Sequence, residues 1–248
     1  RWEITLCGGH TEITDSVNRP VVIGMMAGSV PRHRLIDKRG MRPGDRILLT
    51  KAVAVEGTAL IAREFESDLI AKGMTAQAVA DCKALLDQIS ILPEARIAAA
   101  CPGVSAMHDV TEGGLATALT ELATAGSCRI TVQMERIPIF PETREICAAL
   151  SIDPLGLIGS GSLLICCRPD ETQTLEDALR EAGIQARCIA EVVAGKTCEV
   201  AGKTCEVADI TCEVAHGTDS EMFRIQAFSD GKATPWPQFD VDEITRLF

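Results

Sequence analysis

Tyrosine is absent from this 248-residue chain, and aromatic residues make up only 3% of it. Its core must therefore be aliphatic, and single-stranded nucleic acid would find few rings to stack on. Positive charge is also scarce: 24 Lys and Arg stand against 35 Asp and Glu, a formal net charge of −11. A phosphate backbone calls for a basic surface, so nucleic-acid binding is not expected. No stretch approaches the ~20 continuous apolar residues of a membrane span. No charged n-region and apolar h-region open the chain either. No membrane partner is expected, and the cytoplasm is the default location. The lack of any Cys-x-x-Cys pair argues against a structural zinc site. Eleven cysteines are present, an odd number scattered through apolar runs such as Leu164-Ile165-Cys166-Cys167. That scatter reads as reduced thiols packed as small hydrophobes.

What is present is ordinary for a globular protein: 46% hydrophobic and 24% charged residues. The length suits one large domain plus a piece of another. The most informative stretch is residues 107–123, Met-His-Asp-Val-Thr-Glu-Gly-Gly-Leu-Ala-Thr-Ala-Leu-Thr-Glu-Leu-Ala. Val104 to Met107 reads as a buried strand, with His108, Asp109, Thr111 and Glu112 crowded at its carboxyl end. Gly113 and Gly114 follow, and Leu115, Leu119 and Leu122 recur at helical spacing. Strand, polar-glycine turn and helix together put free backbone N–H groups and a helix dipole at one spot, which suits a phosphate. The carboxylates beside them suit a divalent metal bridging to phosphate oxygens. The plainer alternative is that Asp109 or Thr111 caps the helix and Glu112 stabilises its first turn. Cys7-Gly8-Gly9-His10-Thr11-Glu12 repeats the theme, and two such clusters suggest a shared anionic site. Lys51, at a strand end ahead of a helix, reads equally as a phosphate contact or a surface lysine. Glu56 reads as favourable with its helix dipole. His33 and His216 lie in polar loops and read as solvated. Ser160 belongs to no nucleophile elbow, because Gly159-Ser160-Gly161 precedes a strand and not a helix.

Gly8-Gly9-His10-Thr11-Glu12 and His108-Asp109-Val110-Thr111-Glu112-Gly113-Gly114-Leu115 together resemble the aminoimidazole ribonucleotide (AIR) synthetase superfamily. Arg42-Pro43-Gly44-Asp45 with Leu48-Leu49-Thr50-Lys51 resembles the opening of that family's C-terminal domain. Asp153-Pro154-Leu155-Gly156-Leu157-Ile158 and Gly159-Ser160-Gly161-Ser162-Leu163-Leu164 match its next strand region. The resemblance runs in order over roughly residues 3–193 and is nearest to the hydrogenase maturation type. It implies an α/β (α+β layered) fold: residues 1–30 as a remnant of an N-terminal domain, and 31–248 as a C-terminal domain of sheet and helices. It implies ATP and Mg2+ as cofactors, bound between the two domains and often across a homodimer. It further implies phosphorylation of an amide or carbonyl-type oxygen on a small-molecule or protein substrate. His10, Glu12, His108 and Asp109 would then be catalytic, and Glu12 and Asp109 the metal ligands. Gly8, Gly9, Thr11, Lys51, Thr111, Gly113 and Gly114 would contact the nucleotide. Two departures stand out. The chain starts at Arg1 with only about thirty residues of an N-terminal domain that normally exceeds a hundred. It ends Thr245-Arg246-Leu247-Phe248, without the terminal Cys that carries carbamoyl cargo in the hydrogenase maturation enzyme. A truncated, non-catalytic dimerisation or scaffold relative is therefore the alternative, its strands near residues 3–28 offering unpaired edges.

Along the chain, strands are expected at 3–7, 20–28, 47–50, 129–134, 162–167 and 187–193. Helices are expected at 56–72, from Thr75 to about Ser90, at 141–150 and at 169–183. The stretch from Pro31 to Pro43 reads as the domain boundary. Units beginning at Cys198, Cys205 and Cys212 repeat every seven residues within a region of about 194–218. They are too few and too polar for a coiled coil. They read as a tandem expansion in a surface hairpin or loop, with a soft-metal site the lesser alternative. The tail from Pro235 to Phe248, with a helix-like end over 241–247, is expected to dock on the sheet.

Overall fold

The computed structural model describes residues 4–194 and 224–248, with the backbone alone of 199–200 and 203–204. The chain divides into two units, Arg1–Leu35 and Ile36–Phe248.

Among the described residues of the first unit the only regular element is one 3-10 turn, Arg32–Arg34. Among the described residues, the strands expected at 3–7 and 20–28 are not formed. Strands exist by pairing, and an apolar run with no ladder partner leaves its N–H and C=O groups to water. The apolar side chains stand exposed as a result, Leu6 at 91%, Val22 at 92% and Met25 at 94%.

The second unit is built on one seven-stranded sheet. Its strands are β1 (Arg46–Thr50), β2 (Val104–Asp109), β3 (Arg129–Gln133), β4 (Leu163–Cys167), β5 (Ala186–Val193), β8 (Ile225–Ser229) and β9 (Lys232–Thr234), in the order β2-β4-β1-β5-β3-β8-β9. All neighbours run antiparallel except β3 and β8. A separate two-residue ladder, β6 (Glu199–Val200) against β7 (Lys203–Thr204), lies in the heptapeptide region. Cys198, Cys205, Cys212 and His216 lie outside the described residues.

Strand alternation sends side chains to both faces of the sheet, and both faces are covered. On one, Leu48, Leu163, Ile165 and Cys167 pack with Ala98 of α4 (Leu92–Ala100) and with Leu175 and Leu179 of α7 (Thr172–Glu181). On the other, Ile47, Leu49, Leu164 and Val132 join the main core. Its helical wall is α1 (Val55–Glu64), α3 (Ala76–Ala84), α5 (Gly114–Ala125) and α6 (Pro141–Leu150). The single helix expected over 56–72 is two: α1, then α2 (Glu66–Ala71), parted at Phe65, which leaves helical backbone (φ −117°, ψ 25°). Thr75 caps α3 as its residue type suggests, its hydroxyl accepting from the Ala78 amide at 3.1 Å.

Arg42-Pro43-Gly44-Asp45 is a structural motif. Asp45 is buried (1% exposed), and its carboxylate receives Arg168 Nη1, the Ser105 hydroxyl at 2.8 Å and the Arg42 amide at 2.9 Å. These bonds join the start of β1 to β2 and to the end of β4. The eight cysteines described are all free. Burial pushes the Cys128 thiol up to about 11, and those of Cys82, Cys147, Cys166 and Cys167 up to about 12. They are inert hydrophobes, as expected.

Candidate functional site

Among the described residues, strand β2 lies at the edge of the sheet and pairs only with β4. Its last two residues turn opposite ways. The His108 side chain faces inward, 9% exposed, while Asp109 stands 59% exposed at the strand end. Imidazole Nε2 lies 3.0 Å from Glu121 Oε2, on α5. Nδ1 is buried, 3.5 Å from Asp109 Oδ1, and makes no hydrogen bond. The ring is thus held between two carboxylates, oriented through Nε2 by Glu121. Glu121 was not singled out from sequence. The available signal was its position seven residues after Gly114, two turns along the same helix face.

The turn from β2 into α5 is built as the glycines require. Gly113 and Gly114 have φ of 72° and 60°. A Cβ on Gly114 would lie 2.5 Å from the Leu155 carbonyl oxygen and 2.7 Å from that of Leu157. The glycine pair therefore lets α5 abut the loop at 153–158, and the Ala116 amide donates to the Leu155 oxygen at 3.0 Å. The amides of this turn are not free. Gly114 donates to the Thr111 oxygen at 3.1 Å, and Gly113 donates to Oδ2 of Asp242, near the C-terminus, at 2.7 Å. Neither Asp109 nor Thr111 supplies a side-chain cap to α5. That work is done from 129 residues away.

Lys51 is not a surface lysine, which corrects that sequence alternative. Its ammonium donates to the carbonyls of Gln88 (2.8 Å), Ser90 (2.9 Å) and Gly161 (2.8 Å), and lies 2.5 Å from Glu94 Oε1. The side chains are 13% and 1% exposed. Three hydrogens are thus consumed in tying the end of β1 to the start of α4 and to the loop before β4. Glu56 sits in the first turn of α1, as its dipole reading expected. His33 is exposed.

In the first unit, Gly8, Gly9, His10, Thr11 and Glu12 lie in exposed, irregular backbone. His10 Nε2 is 3.8 Å from Glu12 Oε2, with the side chains 84% and 76% exposed. A Cβ would meet nothing at Gly8 or Gly9. Among the described residues, no group of three or more His, Cys, Asp or Glu is placed to hold a metal by itself.

The tail docks on the second unit: Pro235, Trp236 and Gln238 line a pocket with β8 and β9, and the segment beyond packs against the helical layer and its loops. Trp236 Nε1–H donates to the Ala116 oxygen of α5 at 3.4 Å. The Phe239 ring occupies the space a Cβ on Gly156 would need, at 2.6 Å. A 3-10 turn, Glu243–Leu247, ends the chain, and the Phe248 ring lies 5.3 Å from that of Phe65. No helix among the described residues is long and apolar enough to cross a membrane.

Residues 42–203 match the family described as AIR synthase related protein, C-terminal domain. The chain belongs to the AIR synthase-related family. A carbamoyl dehydratase HypE of Cupriavidus necator is 33% identical over 172 residues, which is 67% of this chain and 45% of that protein. The chain thus spans about half the length of the curated relatives it matches. The fold is shared with the hydrogenase maturation protein HypE of Escherichia coli, at a TM-score of 0.60 and 20% identity over 88% of this chain and 57% of that one. It is shared too with a HypE solved in complex with ATP, at 0.54 and 18% over 84% and 54%. The sheet flanked by helices is therefore the AIR synthase-type fold the motifs implied.

Proposed function

We propose that this protein binds MgATP and phosphorylates an amide or carbonyl-type oxygen in hydrogenase-maturation chemistry. Support comes from the family, from carbamoyl dehydratase relatives, and from a similar fold solved with ATP. The observation that carries the reading is the end of β2. There an exposed carboxylate, Asp109, adjoins a buried imidazole whose Nε2 is held by Glu121 and whose Nδ1 is unbonded. Magnesium needs no preformed cage here, since one or two carboxylates plus substrate phosphates commonly complete its octahedron. Asp109 is the carboxylate of the second unit proposed to hold it, where it would neutralise phosphate charge. His108, oriented by Glu121, removes the proton from the acceptor. Gly113, Gly114 and Thr111 position phosphoryl oxygens. For Gly8, Gly9, His10, Thr11 and Glu12 of the first unit, a nucleotide or metal role is carried by the family resemblance.

The test is calorimetric titration with MgATP of the wild type and of the Asp109→Asn and Glu12→Gln variants. Binding that both substitutions weaken supports the reading. Unchanged affinity in both, with folding confirmed by circular dichroism, sinks it.

A second reading, a non-catalytic dimerisation module, is favoured by the exposed Leu6, Val22, Ile23 and Met25 of the first unit. A monomer in sedimentation at high protein concentration would count against it.

A further inference from the structure

The fold brings two thiols together at one end of the sheet, those of Cys101 and Cys167. Cys101 ends α4: its amide donates to the Ala98 oxygen at 3.1 Å, and its oxygen accepts from the Val104 amide at 3.2 Å. Cys101-Pro102-Gly103-Val104 is thus a tight turn that delivers the chain into β2, with proline presetting φ at its second position. Val104 is the register partner of Cys167, the last residue of β4, and the Arg168 amide donates to the Gly103 oxygen at 2.9 Å. The turn is therefore fastened over the end of β4. A Cβ on Gly103 would lie 3.3 Å from Cys167 Sγ and 2.5 Å from Glu171 Cβ, so glycine is what lets the turn sit this close. The Cys101 thiol adjoins that of Cys167, and both side chains pack in the apolar cluster of Ala98, Leu175 and Leu179. Strand alternation decides which of two adjacent cysteines faces it. Cys166 turns to the main core, its Sγ 3.7 Å from Asp45 Oδ2, and Cys167 turns to Cys101.

The two thiols differ in access. Cys167 is fully buried, whereas Cys101 is partly exposed. Burial, and then the neighbouring Cys101, push the Cys167 thiol up to about 12, so it is inert toward a reagent in solution. A reactive sulfur already beside it needs no such approach, because proximity replaces diffusion.

We propose that Cys101 and Cys167 form an oxidative modification site, at which a hydroperoxide converts the pair to an intramolecular disulfide. Hydrogen peroxide oxidises the accessible thiol first. Its O–O bond breaks, the Cys101 sulfur gains a hydroxyl, and the other oxygen leaves as water with the thiol proton. The Cys167 sulfur then attacks the sulfenic sulfur of Cys101. An S–S bond forms, the S–O bond breaks, and the hydroxyl leaves with the Cys167 proton as a second water. Two thiols and one peroxide thus give one disulfide and two waters. Cys101 is the entry point and Cys167 the resolving thiol, which spares Cys101 from irreversible oxidation. A dithiol reductant restores the pair by exchange. The bond ties the end of α4 to the end of β4.

The full chain is treated with hydrogen peroxide while folded, its remaining thiols are alkylated after unfolding, and non-reducing tryptic peptides are mapped by mass. The expected product is a monomer about 2 Da lighter, in which the peptides carrying Cys101 and Cys167 are joined. Those peptides also carry Cys128, Cys147 and Cys166, so variants assign the bond. The cross-link is expected to vanish in Cys101→Ser and in Cys167→Ser and to survive in Cys128→Ser and Cys166→Ser. Dimedone, which traps sulfenic acids, is expected to label Cys101 roughly tenfold more in Cys167→Ser than in the wild type, since the resolving thiol is gone. Circular dichroism checks folding, and Cys101→Ser, at a partly exposed position, keeps the test intact if the buried substitution impairs it. A wild type that gives no cross-link, a cross-link that survives Cys101→Ser, or one formed between two chains on a non-reducing gel would overturn the proposal.

Discussion

Replacing Lys51 by Met tests whether this residue is an architectural cation. The substitution keeps the length of the stem and removes the charge. Glu94 is then left 1% exposed with no counter-ion, and the carbonyls of Gln88, Ser90 and Gly161 lose their donor. Breaking one partner of a buried ion pair costs ~3–5 kcal/mol, because the remaining charge is stranded. In a chain of this size each kcal/mol moves the midpoint by about 2–4 °C, so a fall of roughly 6–20 °C is expected. Thermal unfolding by circular dichroism reads it. The Lys51→Met/Glu94→Gln double variant should recover part of the loss, since neutralising Glu94 removes the stranded charge. MgATP affinity of the folded Lys51→Met protein should match the wild type. A single variant as stable as wild type to within about 1 kcal/mol, or one that stays stable but loses nucleotide binding, would refute the argument, because removing half of a buried pair must strand the other.

Asp45→Asn is expected to destabilise by about 3–5 kcal/mol in urea unfolding, since Arg168 loses its charged partner beneath the start of β1. Gly114→Ala should cost more than about 1 kcal/mol in the same assay, because it adds a Cβ at positive φ. That Cβ would lie 2.5 Å from the Leu155 carbonyl oxygen. In the folded protein at pH 8, alkylation followed by mass mapping should label exposed Cys7 and spare Cys82, Cys128, Cys147, Cys166 and Cys167. Those five thiols, raised from 9.0 to about 11 or 12, set an alkaline limit. The folded state keeps them neutral, so their contribution is complete below pH 9 and is lost as the pH rises through about 11 to 12. A pH-melting curve flat from pH 9 to 12 would contradict it.

Most of the second unit was legible in the chain. The apolar runs at 47–50 and 163–167 became neighbouring strands because alternate residues on each face find helices to cover them. The Gly113-Gly114 turn and the helix after it followed from glycine's tolerance of positive φ and from leucines at helical spacing. The strands at 3–7 and 20–28 misled because β-propensity is a preference for a partner, and a sequence does not say whether that partner is within reach.

By itself, then, the sequence determined most of the second unit's strands and helices, the aliphatic core, the reduced thiols and the family. Each of these rests on residue type and short-range spacing. Only the tertiary structure decided who partners whom across long separations. Lys51 met Glu94 and three carbonyls; His108 met Glu121; Asp242 met the Gly113 amide. A charged or polar side chain fixes what kind of partner it needs, but many residues satisfy that need. The choice among them is made by the packing of the sheet and its helices, which no local pattern encodes.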